Sequence, residues 1–287
     1  MFRLPNDISL KNALGAATEY LKECGVPDPG TDAYLLLEHV VKCTRSEYFL
    51  HRDDAINSAD AEKLSGLISK RGERIPLQHI IGETCFYGRD FYVNGNVLIP
   101  RSDTEILIEK ALEVIRPGMS ILDMCTGSGC IAVTLACEAD VKVTAADISD
   151  AALEVARQNA ARNNAECDFI KSDMFEKISS RYDILVSNPP YIKRSDIDFL
   201  QEEVRVHDPI LALDGGDDGL DFYRIIAKDG AAHIKSGGTI FLEIGSDQPE
   251  DVSLILKDAG FSDICVINDL NDLPRVVKAA LFKNMGI

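Results

Sequence analysis

Asn188-Pro189-Pro190-Tyr191 directly follows an apolar run, Tyr182–Ser187, with the length and composition of a central strand. Two consecutive prolines fix their own φ and push the residues before them into extended geometry, so the loop after that strand is stiff. The Asn188 side-chain oxygen and the Pro189 carbonyl, held in a fixed direction, are two acceptors suited to the two hydrogens of a planar –NH2 group. Tyr191 adds a flat ring to pack against such a group. The pattern serves the orientation of an amide or exocyclic amine.

A second group lies upstream. Ile121-Leu122-Asp123-Met124 runs into Cys125-Thr126-Gly127-Ser128-Gly129 and then a helical pattern. A strand entering Gly-x-Gly and a helix lets the backbone turn tightly and approach a ligand closely. The next strand ends at Asp147, 18 residues after Gly129, where a carboxylate accepts hydrogen bonds from the ribose hydroxyls of an adenosine cofactor. Gly127-x-Gly129-x-x-Ala132 also satisfies a dinucleotide fingerprint, which makes NAD the rival. Asp123 tips the choice. A carboxylate just before the loop repels a pyrophosphate but attracts the ammonium of an amino-acid ligand such as S-adenosylmethionine.

Elements of two kinds must position these groups. Residues 1–75 read as helices: Thr31 caps a segment ending near Lys42, and residues 59–74 place Ala61, Leu64, Leu67 and Ile68 on one face. Residues 76–100 are aromatic and β-branched with Asn94-Gly95 as a turn signal, a β-hairpin linker. Ser102-x-x-Glu105 reads as a capping box opening a helix through Ile106, Leu107 and Ile108. After Gly118, strands at 120–124, 142–146, 168–171, 184–187 and 239–243 alternate with helices at 131–138, 151–163 and 219–234. Runs at 264–267 and 278–282 add strands at one edge. Alternation of this kind argues an α/β doubly wound parallel sheet. Every cofactor motif lies after Gly118, so the helical part, 1–75, is left for recognising the substrate, and 101–287 for the chemistry.

Charge narrows the partners. The chain of 287 residues carries 30 Lys+Arg against 47 Asp+Glu, a net −17. Three of those excess negative charges fall in residues 1–100 and fourteen in 101–287. Phosphate neutralisation dominates nucleic-acid affinity, so direct nucleic-acid binding is disfavoured. The eight cysteines include no C-x2-C pair, and no metal is called for. Without a membrane span or a secretory leader, a cytoplasmic protein with reduced thiols is the expectation.

Asn188 through Tyr191 with Cys125 through Gly129 and Asp147 resembles class I S-adenosylmethionine-dependent methyltransferases, Rossmann-like enzymes that methylate amide or exocyclic amino nitrogens. Pro76-Leu77-Gln78-His79-Ile80-Ile81-Gly82, Phe86-Tyr87-Gly88, Leu98-Ile99-Pro100-Arg101, Asp103-Thr104-Glu105 and Glu243-Ile244-Gly245 narrow the likeness. Together they resemble the peptide chain release factor N5-glutamine methyltransferases, the HemK/PrmC family, over nearly the whole chain. The resemblance implies methylation of the glutamine in the Gly-Gly-Gln motif of release factors by a monomer. Glutamine methylation of a ribosomal protein, or adenine methylation of nucleic acid, is the alternative, and the acidic charge weighs against adenine. It assigns S-adenosylmethionine contacts to Cys125, Thr126, Gly127, Ser128, Gly129, Asp147, Asn188 and, on the adenine side, Met174. It assigns substrate contacts and catalysis to Asn188, Pro189, Pro190 and Tyr191. Three positions depart from the pattern: Cys125 stands where glycine is expected, Ser102 where proline is, and Met174 where an aromatic is common. His79 and His207 read as structural or substrate-contacting, since the reaction has no call for a base near pH 7. Glu202, Glu203 and Asp208 read as solvated surface, or else as a hold for a basic partner loop.

Overall fold

The computed structural model describes residues 2–5 and 7–282. The chain forms two compact units, one running to Gly82 and including Gln201–His207, the other comprising Glu83–Leu200 and Asp208 onward.

Five helices build most of the first unit: α1 (Leu10–Glu23), α2 (Pro29–Val41), α3 (Arg45–His51), α4 (Ser58–Gly72) and α5 (Leu77–Ile81). Each of the first four starts at a side-chain cap. Ser9 caps α1 and Asn57 caps α4, while Thr44 and Glu47 exchange bonds in a full capping box on α3. The α2 cap is Asp28, not Thr31: Pro29 occupies the first helical position, where its missing N–H costs nothing. The apolar faces converge on Ala13, Ala17, Leu21, Ala33, Leu36, Leu37, Leu64 and Ile68.

In the second unit, β1 (Glu83–Phe86) and β2 (Arg89–Tyr92) form the hairpin. Its turn is Tyr87-Gly88, both at positive φ, and not Asn94-Gly95. Two residues of left-handed backbone match the twist of a tight hairpin, whereas Asn94 closes a local turn by accepting the Asn96 N–H through Oδ1. Ser102–Thr104 is a single 3₁₀ turn, and α6 (Glu105–Leu112) begins after it. The expected capping box does not form, because Glu105 instead accepts the Tyr87 N–H at 2.8 Å.

The sheet then follows: β3 (Ser120–Met124), α7 (Cys130–Glu138), β4 (Lys142–Asp147), α8 (Asp150–Arg162), β5 (Cys167–Lys171) and β6 (Tyr182–Ser187). After α9 (Glu202–His207), which clusters with the first unit, come α10 (Asp221–His233), β7 (Ile234–Glu243), α11 (Pro249–Asp258), β8 (Ser262–Asn268) and β9 (Pro274–Leu281). Strand order is β5-β4-β3-β6-β7-β9-β8, with β3 to β7 parallel and β9 antiparallel to both neighbours. From β3 the chain builds outward through β4 and β5, then returns to the other side of β3 with β6. Such a switch point leaves a crevice outside the carboxyl ends of the strands. Both apolar faces are covered, one around Leu122, Leu185 and Tyr223, the other around Ile121, Val186 and Phe241.

Candidate active site

A cavity opens at that switch point, lined by the ends of β3, β4 and β6 and by the segment after the hairpin. Of the residues singled out in the sequence, Cys125, Thr126, Gly127, Ser128, Asp147, Met174, Asn188 and Pro190 line it. Asp123, Gly129, Pro189 and Tyr191 do not, and each has a physical reason to be elsewhere.

Asp123 is fully buried. Its Oδ2 accepts from the Thr126 hydroxyl at 2.6 Å and from the Ala132 N–H at 3.2 Å. Through that one oxygen the carboxylate pins the loop to the strand end and to the first turn of α7, while the buried Oδ1 has no hydrogen-bond partner among the described residues. Burial pushes its pKa up to about 7 against those two bonds. Gly129 serves packing: a Cβ there would lie 2.9 Å from the Ala156 Cβ, so only glycine lets α7 approach α8. At Gly127, by contrast, a Cβ would meet nothing within 4 Å, and the backbone faces open space.

Asp147 ends β4 with both oxygens engaged, Oδ2 by the Gly127 N–H and Oδ1 by the Ser149 N–H, each at 2.9 Å. A carboxylate oxygen has a second lone pair, so both can still accept from a diol. Burial raises this acid as well. Across the cavity Cys125 and Met174 both hold positive φ, and their sulfurs are 4.0 Å apart. Two of the three departures from the family pattern thus pack on each other. Burial keeps the Cys125 thiol firmly protonated.

Asn188 leaves β6 half-buried, and its Nδ2 donates to the buried Thr104 hydroxyl at 3.4 Å. Among the described residues no protein donor reaches Oδ1. Pro189 is buried, and Tyr191 packs on the core beside β7, where burial and the Glu243 carboxyl push its hydroxyl up to about 12. The ring expected to flank the substrate is part of the loop's foundation. Prolines are only half of what stiffens that loop. The Ile192 N–H donates to Leu213 O at 3.0 Å and the Gly215 N–H to Ile192 O at 2.9 Å, while the Gln248 amide grips Tyr191 O at 3.0 Å. A Cβ at Gly215 would lie 2.7 Å from the Tyr191 Cα, so the supporting segment needs glycine to come this close.

Several lining residues were not singled out for the site. Leu98, Pro100 and Arg101 wall the cavity from the segment after the hairpin, and Thr104 orients Asn188 from the turn that follows. Pro209, Leu211 and Ala212 wall another side. The quoted family motifs contain the first four but gave them no role; nothing in the local pattern marks the last three. Neither His79 nor His207 lines the cavity.

Two acids read as solvated are buried. Glu203 accepts from Arg71 at 2.9 Å and from Arg74 at 2.8 and 2.5 Å within the first unit, and Arg71 also donates to Asp32 at 2.6 Å. Burial opposes its charge, yet the two guanidiniums hold its pKa down at about 2. Its charge is met by the chain's own arginines, more than a hundred residues away in sequence, so it is not a hold for a partner loop. Asp208 is pushed up to about 6 by burial, with Arg101 3.4 Å away as the opposing influence. Glu202 is exposed, as expected. Among the described residues no group of three or more His, Cys, Asp or Glu is arranged to hold a metal ion.

Comparison with known proteins agrees with this geometry. Residues 12–82 match the PrmC N-terminal domain, and residues 102–216 match the methyltransferase small domain. The chain is 39% identical over 280 residues to the release factor glutamine methyltransferase of Agrobacterium fabrum, covering 94% of this chain and 97% of that one. The enzyme of the same name from Clostridium acetobutylicum is 40% identical, with 95% and 98% covered. A methyltransferase from Pyrococcus furiosus shares the fold at a TM-score of 0.54 and 18% identity, over 69% of this chain and 91% of that one. With identities of 39% and 40% across nearly the full length of both relatives, the chain belongs to the release factor glutamine methyltransferase family.

Proposed function

We propose that this protein transfers a methyl group from S-adenosylmethionine to the side-chain amide nitrogen of the glutamine in the Gly-Gly-Gln motif of peptide chain release factors. The observation that carries the reading is the orientation of Asn188: its NH2 is spent on Thr104 inside the protein, leaving Oδ1 as an acceptor on the cavity wall. An acceptor fixed there suits a substrate that presents an NH2, as a glutamine does.

The donor set fits the cofactor. The backbone at Gly127 faces open space, Asp147 has lone pairs free for the ribose diol, and the sulfurs of Cys125 and Met174 offer a polarisable surface for adenine. Cys125 through Ser128, Asp147, Met174 and Asn188 are the residues proposed to hold it. Bound there, S-adenosylmethionine supplies an electrophilic methyl group. An amide nitrogen is a poor nucleophile because its lone pair is delocalised into the carbonyl. A hydrogen bond from that NH2 to Asn188 Oδ1 orients it and raises electron density at nitrogen, and the buried Pro189 with Pro190 stiffens the loop that carries Asn188. Positioning at roughly 3–3.5 Å is then the main contribution, since near-attack geometry alone is worth several orders of magnitude. The methylated nitrogen is strongly acidic and releases its extra proton to water, so no general base is needed.

The helical unit is proposed to recognise the protein substrate. A monomer acting in the cytoplasm without nucleic acid completes the reading, supported by the net charge of −17. Among the described residues no helix is long and apolar enough to cross a membrane. The test is incubation with labelled S-adenosylmethionine and a purified release factor, followed by mass spectrometry of the Gly-Gly-Gln peptide. Label on a ribosomal protein or on adenine, with the release factor untouched, overturns the proposal.

A further inference from the structure

We propose that Arg101 receives the carboxylate of S-adenosylmethionine, and that Asp208 is a positioning residue that holds Arg101 for this purpose. This rests on the reading that the cofactor occupies the cavity at the ends of β3, β4 and β6. S-adenosylmethionine carries a sulfonium, an ammonium and a carboxylate. The two cationic groups suit a cavity whose lining includes Asp147 and Asp173; the carboxylate does not. Among the residues that line the cavity, Arg101 is the one Lys, Arg or His.

The backbone offers an anion less here than in most such folds. A helix N-terminus beside a glycine loop is the ready-made place for one, yet at α7 the Ala132 N–H already donates to the buried Asp123 carboxyl at 3.2 Å. Within the loop the Thr126 N–H goes to Ala146 O at 3.0 Å, the Gly127 N–H to Asp147 Oδ2 at 2.9 Å and the Gly129 N–H to Thr126 O at 2.8 Å. Arg101 is in the opposite condition. A guanidinium has five N–H donors in a planar fork that matches a carboxylate. Its one protein acceptor among the described residues is Asp208 Oδ2, 3.4 Å from Nη2. The Arg101 side chain is 47% exposed and that of Asp208 only 1%, so the acid holds the arginine from the protein side and most of its donors remain open. Asp208 has no other ion pair, and its Oδ1 has no hydrogen-bond partner among the described residues. A carboxyl buried on so few contacts is costly for folding alone. Holding a cation at the cavity wall gives it a purpose, and Pro209, the next residue, lines the same cavity.

The test titrates S-adenosylmethionine and decarboxylated S-adenosylmethionine, which lacks only the carboxylate, into the parent, Arg101→Gln, Asp208→Asn and the double variant by calorimetry. Arg101→Gln is expected to weaken S-adenosylmethionine about tenfold or more, the loss of a charged hydrogen-bonded pair. The decarboxylated compound, with no carboxylate to meet, stays within about threefold of the parent or binds more tightly. Asp208→Asn is expected to change S-adenosylmethionine affinity by at least about threefold in the parent and by less than about twofold in Arg101→Gln, because it acts through the arginine. Equal weakening of both compounds by Arg101→Gln would make the arginine a structural wall and overturns the proposal. So does unchanged affinity for both with a raised KM for the release factor, which would place Arg101 against the protein substrate. An Asp208→Asn effect of the same size with and without Arg101 overturns the positioning role. Failure of the underlying reading looks different: S-adenosylmethionine affinity would survive Asp147→Ala in folded protein.

Discussion

Replacing Asn188 with alanine removes the acceptor on which the mechanism turns. Asn188 Oδ1 anchors the target NH2 in the proposed geometry, and with it gone the amide is free to swing away from the methyl group. A lost hydrogen bond is worth about 1 kcal/mol, and lost orientation adds to it; together about 2.7 kcal/mol, or roughly 100-fold in kcat/KM, is expected. The structure separates this from unfolding. Thr104 loses the donor now 3.4 Å from its oxygen, but Asn188 is only half-buried on the cavity wall, where water can take the vacated place. Tm is therefore expected to move by only a few degrees, the response to about 1 kcal/mol. Cofactor affinity should fall far less than turnover, because Asp147 and the Gly127 backbone sit on the other strands. Counting methylated Gly-Gly-Gln peptide by mass spectrometry against time, beside calorimetric titration of S-adenosylmethionine, measures both. An Asn188→Ala protein that methylates within a few-fold of the parent would refute the orientation argument.

Asp147→Ala removes a charged acceptor and unties the Gly127 N–H, so S-adenosylmethionine affinity should drop by about tenfold or more, measured by calorimetry on folded protein. Gly215→Ala forces a Cβ to within 2.7 Å of the Tyr191 backbone; a lower Tm and at least about tenfold slower methylation are expected, and an unchanged enzyme would show that the supporting segment does not hold the loop. Asp123 has a folded pKa raised to about 7, so the native state binds its proton more tightly than the unfolded chain, and stability falls as pH rises from about 4 to about 7. Asp123→Asn should flatten Tm against pH over that window, though Glu243, also pushed to about 7, and Asp208, to about 6, retain part of the slope; a slope identical to the parent's counts against the assignment.

The fold was legible because its elements announce themselves locally. Five short apolar runs alternate with helical patterns, and all five are parallel strands, four within two residues of their expected bounds and the fifth beginning five residues early, at Ile234. The cofactor loop was legible for the same reason: strand, glycines and helix are contiguous. Errors arose where a residue has two competing roles. Asn94-Gly95 and Tyr87-Gly88 both carry turn chemistry, and the pairing of Phe86 with Arg89 selects the second. Glu105 has the spacing of a capping box, but the Tyr87 N–H claims it. Glu203 resembles any surface acid until Arg71 and Arg74 are brought beside it by tertiary structure. Local pattern cannot report a partner more than a hundred residues away.

The buried acids show what kind of site this is. Asp123 and Glu243 are both pushed to about 7, and a raised carboxyl in a cleft is the ordinary mark of an acid or base catalyst. Here neither lines the cavity. Asp123 ties the glycine loop to β3 and α7, and Glu243 is buried at the end of β7, next to the strand that delivers Asn188. Methyl transfer to an amide demands no proton before the methyl arrives, only geometry. A buried acceptor oxygen suits that demand: Asp123 Oδ2 takes both the Thr126 hydroxyl and the Ala132 N–H and so holds the glycine loop in one arrangement. The perturbed acidities are the consequence of burying acceptors where orientation matters.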